Sequence, residues 1–157
     1  MHSTIYGEIS FEEMYLLIRA YLSQDRNGEY RVSIGTDSQN FDYTKMPITI
    51  GIHRIENQIG KGGIFFSEIR RVKKISNIRQ KIFYETNLSL DLALRLNLKF
   101  IEDNIPNKIA IHVDAGYNGP TAMYIAEITG WVKACGFQCV IKPDSYMASS
   151  VANRLSK

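Results

Sequence analysis

The chain has 157 residues, of which 45% are hydrophobic and 22% are charged, with a net charge of +3. This length suits one globular domain over 1–157, the composition excludes a disordered chain, and the charge is compatible with a polyanionic partner without requiring one. No apolar run approaches the roughly 18–20 residues of a membrane span, so we expect no membrane contact. The two cysteines lie beside apolar neighbours, as reduced thiols do, and we therefore expect a cytoplasmic protein.

The first half of the chain predicts one helix and three strands. Ser10 and Glu13 form a capping-box pattern, in which the hydroxyl accepts the third amide of a helix and the carboxylate reaches back. Apolar residues at helical spacing then predict a helix over 11–23. Apolar and β-branched runs predict strands over 30–36, 48–55 and 64–75, with a glycine-rich hairpin connection over 58–63. The short loops between these strands predict an antiparallel meander.

The segment 77–101 is ambiguous between strand and helix. Its leucines alternate with a period of two from Leu88 to Leu98, which is typical of a strand. The segment is far longer than a usual strand, however, and it is built mainly of helix formers. We therefore predict a helix, buried on more than one face because leucine at every second position covers all its sides. The same leucines would suit a homodimer interface equally well.

The rest of the chain predicts alternating strands and helices. Strands over 108–113 and 137–141 flank a helix over 120–134, which Pro120 suits in its first turn and Gly136 stops. A terminal helix follows over 145–155. The whole pattern predicts an α/β fold with a five-stranded mixed sheet, three antiparallel strands and then two parallel ones, with flanking helices and an extra N-terminal helix.

Three acids occupy positions at which acids are unusual. Asp37 and Asp114 each end an apolar strand, so both should emerge at the sheet edge where ligand sites gather in α/β folds, although each could simply form a turn or cap a helix. Glu85 interrupts the apolar stripe of the predicted 77–101 helix, where a buried carboxylate is costly unless it is paired or binds a metal. A salt bridge at the margin of the stripe is its alternative role, whereas convergence of all three acids requires a divalent cation.

Two further residues fall near these acids in the predicted topology. Asp144 follows the fifth strand, where it can cap the last helix, join the site, or do both. His112 shares the strand face of Asp114, but a packed strand histidine is the better interpretation. A cluster of carboxylates without histidine or thiolate ligands selects hard cations, Mg²⁺ or Mn²⁺, over zinc.

Three motifs carry a resemblance to a known family. They are Gly35-Thr36-Asp37-Ser38-Gln39 after the first strand, His112-Val113-Asp114-Ala115-Gly116-Tyr117-Asn118-Gly119 after the fourth, and Lys142-Pro143-Asp144-Ser145-Tyr146 with Ala148-Ser149-Ser150 near the end. Together they resemble the YkuK-type family of uncharacterised bacterial proteins, over most of the chain from about Tyr30. That family belongs with ribonuclease H-like folds, whose element order matches the order predicted here.

The resemblance implies a nuclease site. In ribonuclease H-like nucleases the metal-binding acids lie at the end of the first strand, in the first crossover helix, after the fourth strand and near the start of the last helix. By position this implies four catalytic, metal-binding residues: Asp37, Glu85, Asp114 and Asp144. Related nucleases vary most at the position of Asp144. The helix over 11–23 departs from the minimal fold of these proteins.

The leading hypothesis is a nuclease that hydrolyses phosphodiester bonds in nucleic acid with two Mg²⁺ or Mn²⁺ ions, bridged by Asp37. Polar residues beside the acids are predicted to contact the substrate: Ser38, Gln39, Asn118, Lys142 and Ser145. The basic run Arg70, Arg71, Lys73 and Lys74 would also contact phosphates. The alternatives are a nucleic-acid-binding or scaffolding module that keeps the fold without turnover, and metal-dependent ATP hydrolysis, for which a Gly-rich phosphate loop is missing.

Overall fold

The computed structural model describes residues 1–3, 6–24, 28–56, 59–106 and 108–148, and for residues 56 and 59–61 it describes the backbone alone. The helices and strands of this part of the chain are β1 (His2–Ser3), β2 (Gly7–Glu8), α1 (Phe11–Ser23), β3 (Glu29–Thr36), β4 (Gln39–Asn40), β5 (Tyr43–Glu56), β6 (Ile59–Lys73), α2 (Ile78–Glu102), β7 (Ile109–His112), α3 (Ile125–Ala134) and β8 (Gln138–Val140). Short 3₁₀ turns lie at Ala122–Tyr124 and Tyr146–Ala148.

The described strands form one mixed sheet in the order β2-β1-β6-β5-β3-β7-β8, with β4 paired to β5. The three strands β6, β5 and β3 are antiparallel, whereas β7 runs parallel to β3 and β8 runs parallel to β7. This arrangement confirms the predicted α/β fold of ribonuclease H-like type, with three antiparallel strands and then two parallel ones. Because β3 and β7 are parallel neighbours, their carboxyl ends meet at one edge of the sheet.

The short strands β1, β2 and β4 are additions that the sequence analysis does not predict. β1 pairs with the outer edge of β6, and β2 pairs with β1. Each of these strands has two residues, which is too short for any periodic hydrophobic pattern. β1 and β2 thus extend the sheet beyond β6, whereas β4 pairs with β5.

The β5–β6 hairpin is longer than predicted, and the glycines predicted as its connection lie within β6. A bulge between His53 and Ile55 interrupts the register, beyond which pairing continues. Gly62 has a φ of +108°, and a Cβ on Gly63 would lie 2.6 Å from the carbonyl oxygen of Ile52. These glycines are therefore needed for a left-handed backbone conformation and for close strand approach.

α2 is a helix of 25 residues, as predicted. The side chain of Asn77 caps it by accepting the N–H of Gln80 at 3.0 Å. Its buried residues lie on more than one face, as predicted, but burial does not reach every side, because Leu94 and Leu98 are 45% and 61% exposed. The buried leucines of the helix are Leu88, Leu90, Leu92 and Leu96. The homodimer stays a prediction.

α1 packs against the C-terminal half of α2. Its predicted capping box is present: Ser10 Oγ accepts the N–H of Glu13 at 3.1 Å, and Glu13 Oε1 accepts the N–H of Ser10 at 3.2 Å. The ring of Tyr15 lies against that of Phe100, with centroids 6.0 Å apart. The additional N-terminal helix thus extends the core beyond the minimal fold, at a distance from the acids.

The C-terminal elements differ from the prediction in their bounds. α3 begins at Ile125 instead of Pro120, because a separate 3₁₀ turn precedes it. Of the predicted helix over 145–155, the described part is the 3₁₀ turn Tyr146–Ala148, and the rest lies outside the described residues. This turn packs on β3 so closely that a Cβ on Gly35 would lie 2.6 Å from the carbonyl carbon of Met147. None of the described helices has the length and apolar character needed to cross a membrane.

Candidate functional site

Asp37, Glu85 and Asp114 line one cleft at the carboxyl ends of β3 and β7, with a volume of about 610 Å³. Asp37 directly follows β3, and its N–H donates to the carbonyl of Pro47 at 3.2 Å. Asp114 follows β7, which runs parallel beside β3. Glu85 extends from α2, a helix that packs against both strands. The fold therefore brings together the three acids that the sequence analysis singled out.

Two of these acids are almost fully buried. Asp37 is 7% exposed and Glu85 is 6% exposed. The hydroxyl of Ser38 donates a hydrogen bond to Glu85 Oε1 and so fixes the orientation of that carboxyl group. One turn further along α2, the hydroxyls of Thr36 and Ser89 are hydrogen-bonded at 2.7 Å. These paired contacts hold α2 in register with the end of β3.

The electrostatic environment of Glu85 disfavours its charged form. Burial, the largest cause, and the nearby carboxylates of Asp37 and Asp114 raise the pKa of Glu85 to about 8, against the Ser38 hydrogen bond and the charge of Lys81. Like charges in a site shielded from water cannot all ionise easily near neutral pH. A cation among the three carboxylates would remove this penalty.

Lys142 is a cation that already contacts one of these acids. Its Nζ lies 2.8 Å from Asp114 Oδ1, and the Asp114 side chain is 25% exposed. The hydrogen bond with Asp114 raises the pKa of Lys142, and the charges of Asp114, Asp37 and Glu85 add to this effect. The backbone N–H of Lys142 donates to the carbonyl of Ala115 at 2.9 Å, which ties the two loops together. One ammonium group offsets one carboxylate of the three.

The remaining predicted substrate contacts divide between the cleft and other places. Ser38 and Asn118 line the cleft. Gln39 lies in β4, opposite Lys45 of β5. Ser145 is 1% exposed, so its side chain is packed inside the protein. Ser38 and Asn118, together with Lys142, are therefore the predicted contact residues that the fold brings to the acids.

Asp144 does not line the cleft that the other three acids line. It lines a second cleft of about 1090 Å³ with His112 and Tyr146. Pro143 lines both clefts, so the chain passes from one to the other between Lys142 and Asp144. The negative charge of Asp144 raises the pKa of His112, against the larger lowering effect of burial. The described geometry thus groups three of the four predicted acids.

His112 is a packed strand histidine, as predicted. It is 5% exposed, and its Nδ1 accepts the N–H of Met147 at 3.3 Å. Its ring meets that of Tyr146 edge-on, with centroids 4.8 Å apart. Burial lowers the pKa of His112 to about 4, so the imidazole is neutral at pH 7. Its contacts hold the 3₁₀ turn Tyr146–Ala148 against β7.

Three polar side chains of the cleft were not predicted as part of the site. Lys81 lies one helical turn before Glu85, so their spacing in the sequence could have placed both on the same face of α2. Tyr117 is 73% exposed in the loop after Asp114, and its place in the motif with Asp114 and Asn118 could have indicated its position. Thr121 accepts the N–H of Gly116 at 3.4 Å and so shapes that loop.

The donor set of the cleft fits Mg²⁺ or Mn²⁺. Its acids offer oxygen ligands, which hard divalent cations prefer. Among the residues that the structure describes, no group of three or more His, Cys, Asp and Glu side chains is close enough to enclose an ion by itself. A closed cage is not required, because Mg²⁺ usually keeps several waters and binds one or two carboxylates together with substrate phosphates. The burial of Glu85 supports the fit, since its charged form needs a cation.

Comparison with known proteins agrees with this architecture. A family model described as Ribonuclease H-like matches residues 13–157. The chain is also similar to a protein of Bacillus subtilis (strain 168) named Uncharacterized protein YkuK, with 33% identity over 164 residues that cover 96% of this chain and 93% of the relative. No solved structure matches the chain significantly. Both matches confirm the resemblance that the three sequence motifs indicated, and the chain therefore belongs to the ribonuclease H-like family, as a YkuK-type member.

Proposed function

We propose that this protein hydrolyses phosphodiester bonds in nucleic acid with divalent metal ions. The observation that carries the proposal is the convergence of Asp37, Glu85 and Asp114 in one cleft, with Glu85 almost fully buried. Burying a carboxylate beside two others costs free energy that a bound cation would offset. Membership of the ribonuclease H-like family supports a function that involves nucleic acid.

In this proposal the three acids bind Mg²⁺ or Mn²⁺. Asp37 and Glu85 supply buried carboxylate oxygens, and the more exposed Asp114 supplies oxygens nearer to the substrate side of the cleft. When bound, the ions would act as Lewis acids on the scissile phosphate and on the attacking water. The site therefore needs no side chain as general base. The buried His112 would be a weak one, because its Nδ1 already accepts the N–H of Met147 and burial lowers its pKa to about 4.

Ser38 is a positioning residue in this account. Its hydroxyl donates to one oxygen of Glu85 and leaves the other oxygen of that carboxyl group to bind an ion. A ligand that is held by a hydrogen bond from its surroundings keeps its orientation without the metal, which raises metal affinity. Its hydrogen bond with Glu85 therefore favours a role in positioning that carboxylate over the predicted contact with the substrate.

Lys142, Lys81 and Asn118 are the groups that we assign to the substrate. All three line the cleft, and two are cations. Lys142 contacts Asp114 in the absence of substrate and can turn toward a phosphate, because its side chain is 53% exposed. Positive side chains that contact phosphates give binding a steep dependence on salt. Asp144 stays outside the proposed ligand set, because it lines the neighbouring cleft.

A cleavage assay tests the proposal. Purified protein is incubated with labelled single-stranded, duplex, hybrid and junction substrates in Mg²⁺, Mn²⁺ or EDTA. We expect cleavage with either metal, none in EDTA, and a loss of about a hundredfold or more in Asp37→Asn and Asp114→Asn. Asp91→Asn, which removes an exposed carboxylate of α2, is the matched control and should keep full activity. Circular dichroism checks that each variant is folded.

Two outcomes would contradict the nuclease proposal. Cleavage that persists in the Asp37→Asn and Asp114→Asn variants would come from a contaminant or from another site. Metal-independent binding of nucleic acid with no cleavage of any substrate would instead favour the non-catalytic binding module. That module is disfavoured by the site itself, because three carboxylates that face phosphates without metal ions would repel them.

A further inference from the structure

β5 and β6 extend beyond the cleft end of β3, and the short strand β4 pairs with β5 in this part of the sheet. β3 ends at Thr36, opposite Ile48 of β5, and Asp37 follows at once. β5 and β6 stay paired past this point, from the pair Ile48–Glu68 to the pair Tyr43–Lys73. This extension, residues 43–47 of β5 with 69–73 of β6, therefore lies at the same end of the sheet as the acids.

Two aromatic side chains are exposed at the tip of the extension. Phe41, in the turn between β4 and β5, is 52% exposed, and Tyr43 is 37% exposed. Their ring centroids are 5.6 Å apart, with an angle of 36° between the planes. The turn is held by a hydrogen bond from the N–H of Phe41 to the carbonyl of Tyr43 at 2.7 Å. The pair is thus presented to solvent on an ordered turn.

Basic side chains share one face of the extension with Tyr43. The register pairs Tyr43 with Lys73 and Lys45 with Arg71, and side chains of directly paired residues lie on the same face. Arg71 and Lys73 are exposed, and Lys45 is half-buried. The acid next to them is Asp42 in the turn, so the local charge is clearly positive.

Exposed aromatic rings beside a positive strip are typical of surfaces that bind single-stranded nucleic acid, because bases stack on the rings while cations follow the phosphates. A double helix keeps its bases stacked inside and offers mainly its phosphates to a surface of this kind. We infer that the extension binds unpaired nucleotides, with bases on Phe41 and Tyr43 and phosphates at Lys45, Arg71 and Lys73. This deepens the proposed function, on which its link to cleavage rests, by assigning a substrate with a single-stranded segment.

Fluorescence anisotropy in EDTA tests the inference without cleavage. The probes are labelled oligo-dT and oligo-rU of 20 nucleotides, an abasic strand with the same number of phosphates, and a duplex of 20 base pairs. We expect the single strands to bind about tenfold or more tightly than both the abasic strand and the duplex, since stacking needs exposed bases. The affinities for oligo-dT and oligo-rU, compared with each other, show whether DNA or RNA is the better ligand.

Substitutions of the aromatic pair test the stacking directly. Phe41→Ala and Tyr43→Ala should each weaken binding of the single strands about 5- to 100-fold and leave binding of the abasic strand unchanged. Phe41→Trp should bind the single strands as tightly as the wild type does, because it keeps an aromatic ring at this position. That result would show that the ring, and not the local fold, determines the affinity. Tyr6→Ala, at a tyrosine that is 61% exposed in the β1–β2 turn, is the matched control and should bind as the wild type does.

Substitutions of the cations should act differently. Arg71→Ala and Lys73→Ala should weaken the normal and the abasic strands equally, and each should reduce the slope of log affinity against log salt by about one. Lys108→Ala, at an exposed lysine just before β7, is the charge control and should leave the slope unchanged.

Equal affinity for normal and abasic strands, or wild-type affinity in both aromatic variants, would overturn the inference. Preference for the duplex would overturn it as well. The outcome is separate from that of the nuclease proposal, because Asp37→Asn, which removes a negative charge from the cleft, should lose cleavage in Mg²⁺ but bind single strands in EDTA at least as tightly as the wild type does. Base-dependent binding without any cleavage would support nucleotide binding by the extension and refute the nuclease proposal. Cleavage without base-dependent binding would support the nuclease proposal and refute nucleotide binding by the extension.

Discussion

Replacing Glu85 with glutamine should stabilise the metal-free protein, and the gain should grow with pH. Burial and the neighbouring aspartates raise the pKa of Glu85 from 4.5 to about 8. Between these two values the folded protein holds a proton that the unfolded chain has released. The free energy of unfolding of the wild type therefore falls as the pH rises through this range, and it levels off above pH 8.

The size of the effect follows from the two pKa values. The difference between 4.5 and about 8 corresponds to roughly 4 to 5 kcal/mol in total. Between pH 6 and pH 9 the linkage relation gives about 2 to 3 kcal/mol of this loss. Glutamine keeps the shape of the side chain and an acceptor for the hydroxyl of Ser38, but it cannot ionise. The Glu85→Gln variant should therefore lack this part of the pH dependence.

Urea unfolding in EDTA, followed by circular dichroism at pH 6 and pH 9, measures the effect. The stability difference between Glu85→Gln and the wild type should increase by about 2 to 3 kcal/mol from the lower to the higher pH. Asp91→Asn removes an exposed carboxylate from the same helix and is the matched control. Saturating Mg²⁺ should flatten the wild-type dependence, because a bound cation favours the ionised form. A difference that does not change with pH would refute the reasoning about this buried carboxyl group.

Three further predictions follow from single contacts. Lys142→Met should strengthen Mg²⁺ binding several-fold in calorimetric titrations, because it removes the ammonium that lies 2.8 Å from Asp114; weaker binding would mean that this lysine supports the metal site. Asp144→Asn should lower cleavage by less than about tenfold, against about a hundredfold for Asp114→Asn, and equal losses would add Asp144 to the ligand set. Gly35→Ala should lower stability by about 1 to 3 kcal/mol in thermal denaturation, since its Cβ would lie 2.6 Å from Met147; an unchanged Tm would contradict the packing of that turn on β3.

The sequence predicted the order of the main elements because their patterns are local. The capping box at Ser10 and the helix formers of the 77–101 segment depend on neighbours within a few residues, and both predictions are confirmed. The two strand-end aspartates were found for the same reason, since an acid after an apolar run is visible without any tertiary information. Glu85 was identified because it interrupts a helical stripe, and the structure buries it as that pattern requires.

What the sequence did not predict depends on contacts between distant segments. The ion pair of Lys142 with Asp114 joins loops that are far apart in the chain, and no spacing rule connects them. Asp144 is two residues from Lys142, yet it lines a different cleft, because the chain turns at Pro143. The glycines of β6 resemble a turn in composition, whereas the long pairing with β5 uses them as strand residues. In each case tertiary packing decides between local alternatives of similar free energy.

Manganese binding tests the central claim, that Asp37, Glu85 and Asp114 bind divalent metal ions, most directly. Electron paramagnetic resonance of free Mn²⁺ during titration gives the affinity of the folded protein without any substrate. We predict saturable binding to the wild type that Mg²⁺ displaces, that weakens at least about tenfold in Asp37→Asn and Asp114→Asn, and that is unchanged in Asp91→Asn. Binding that is equally tight in all four proteins, or absent from the wild type at millimolar Mn²⁺, would contradict the account.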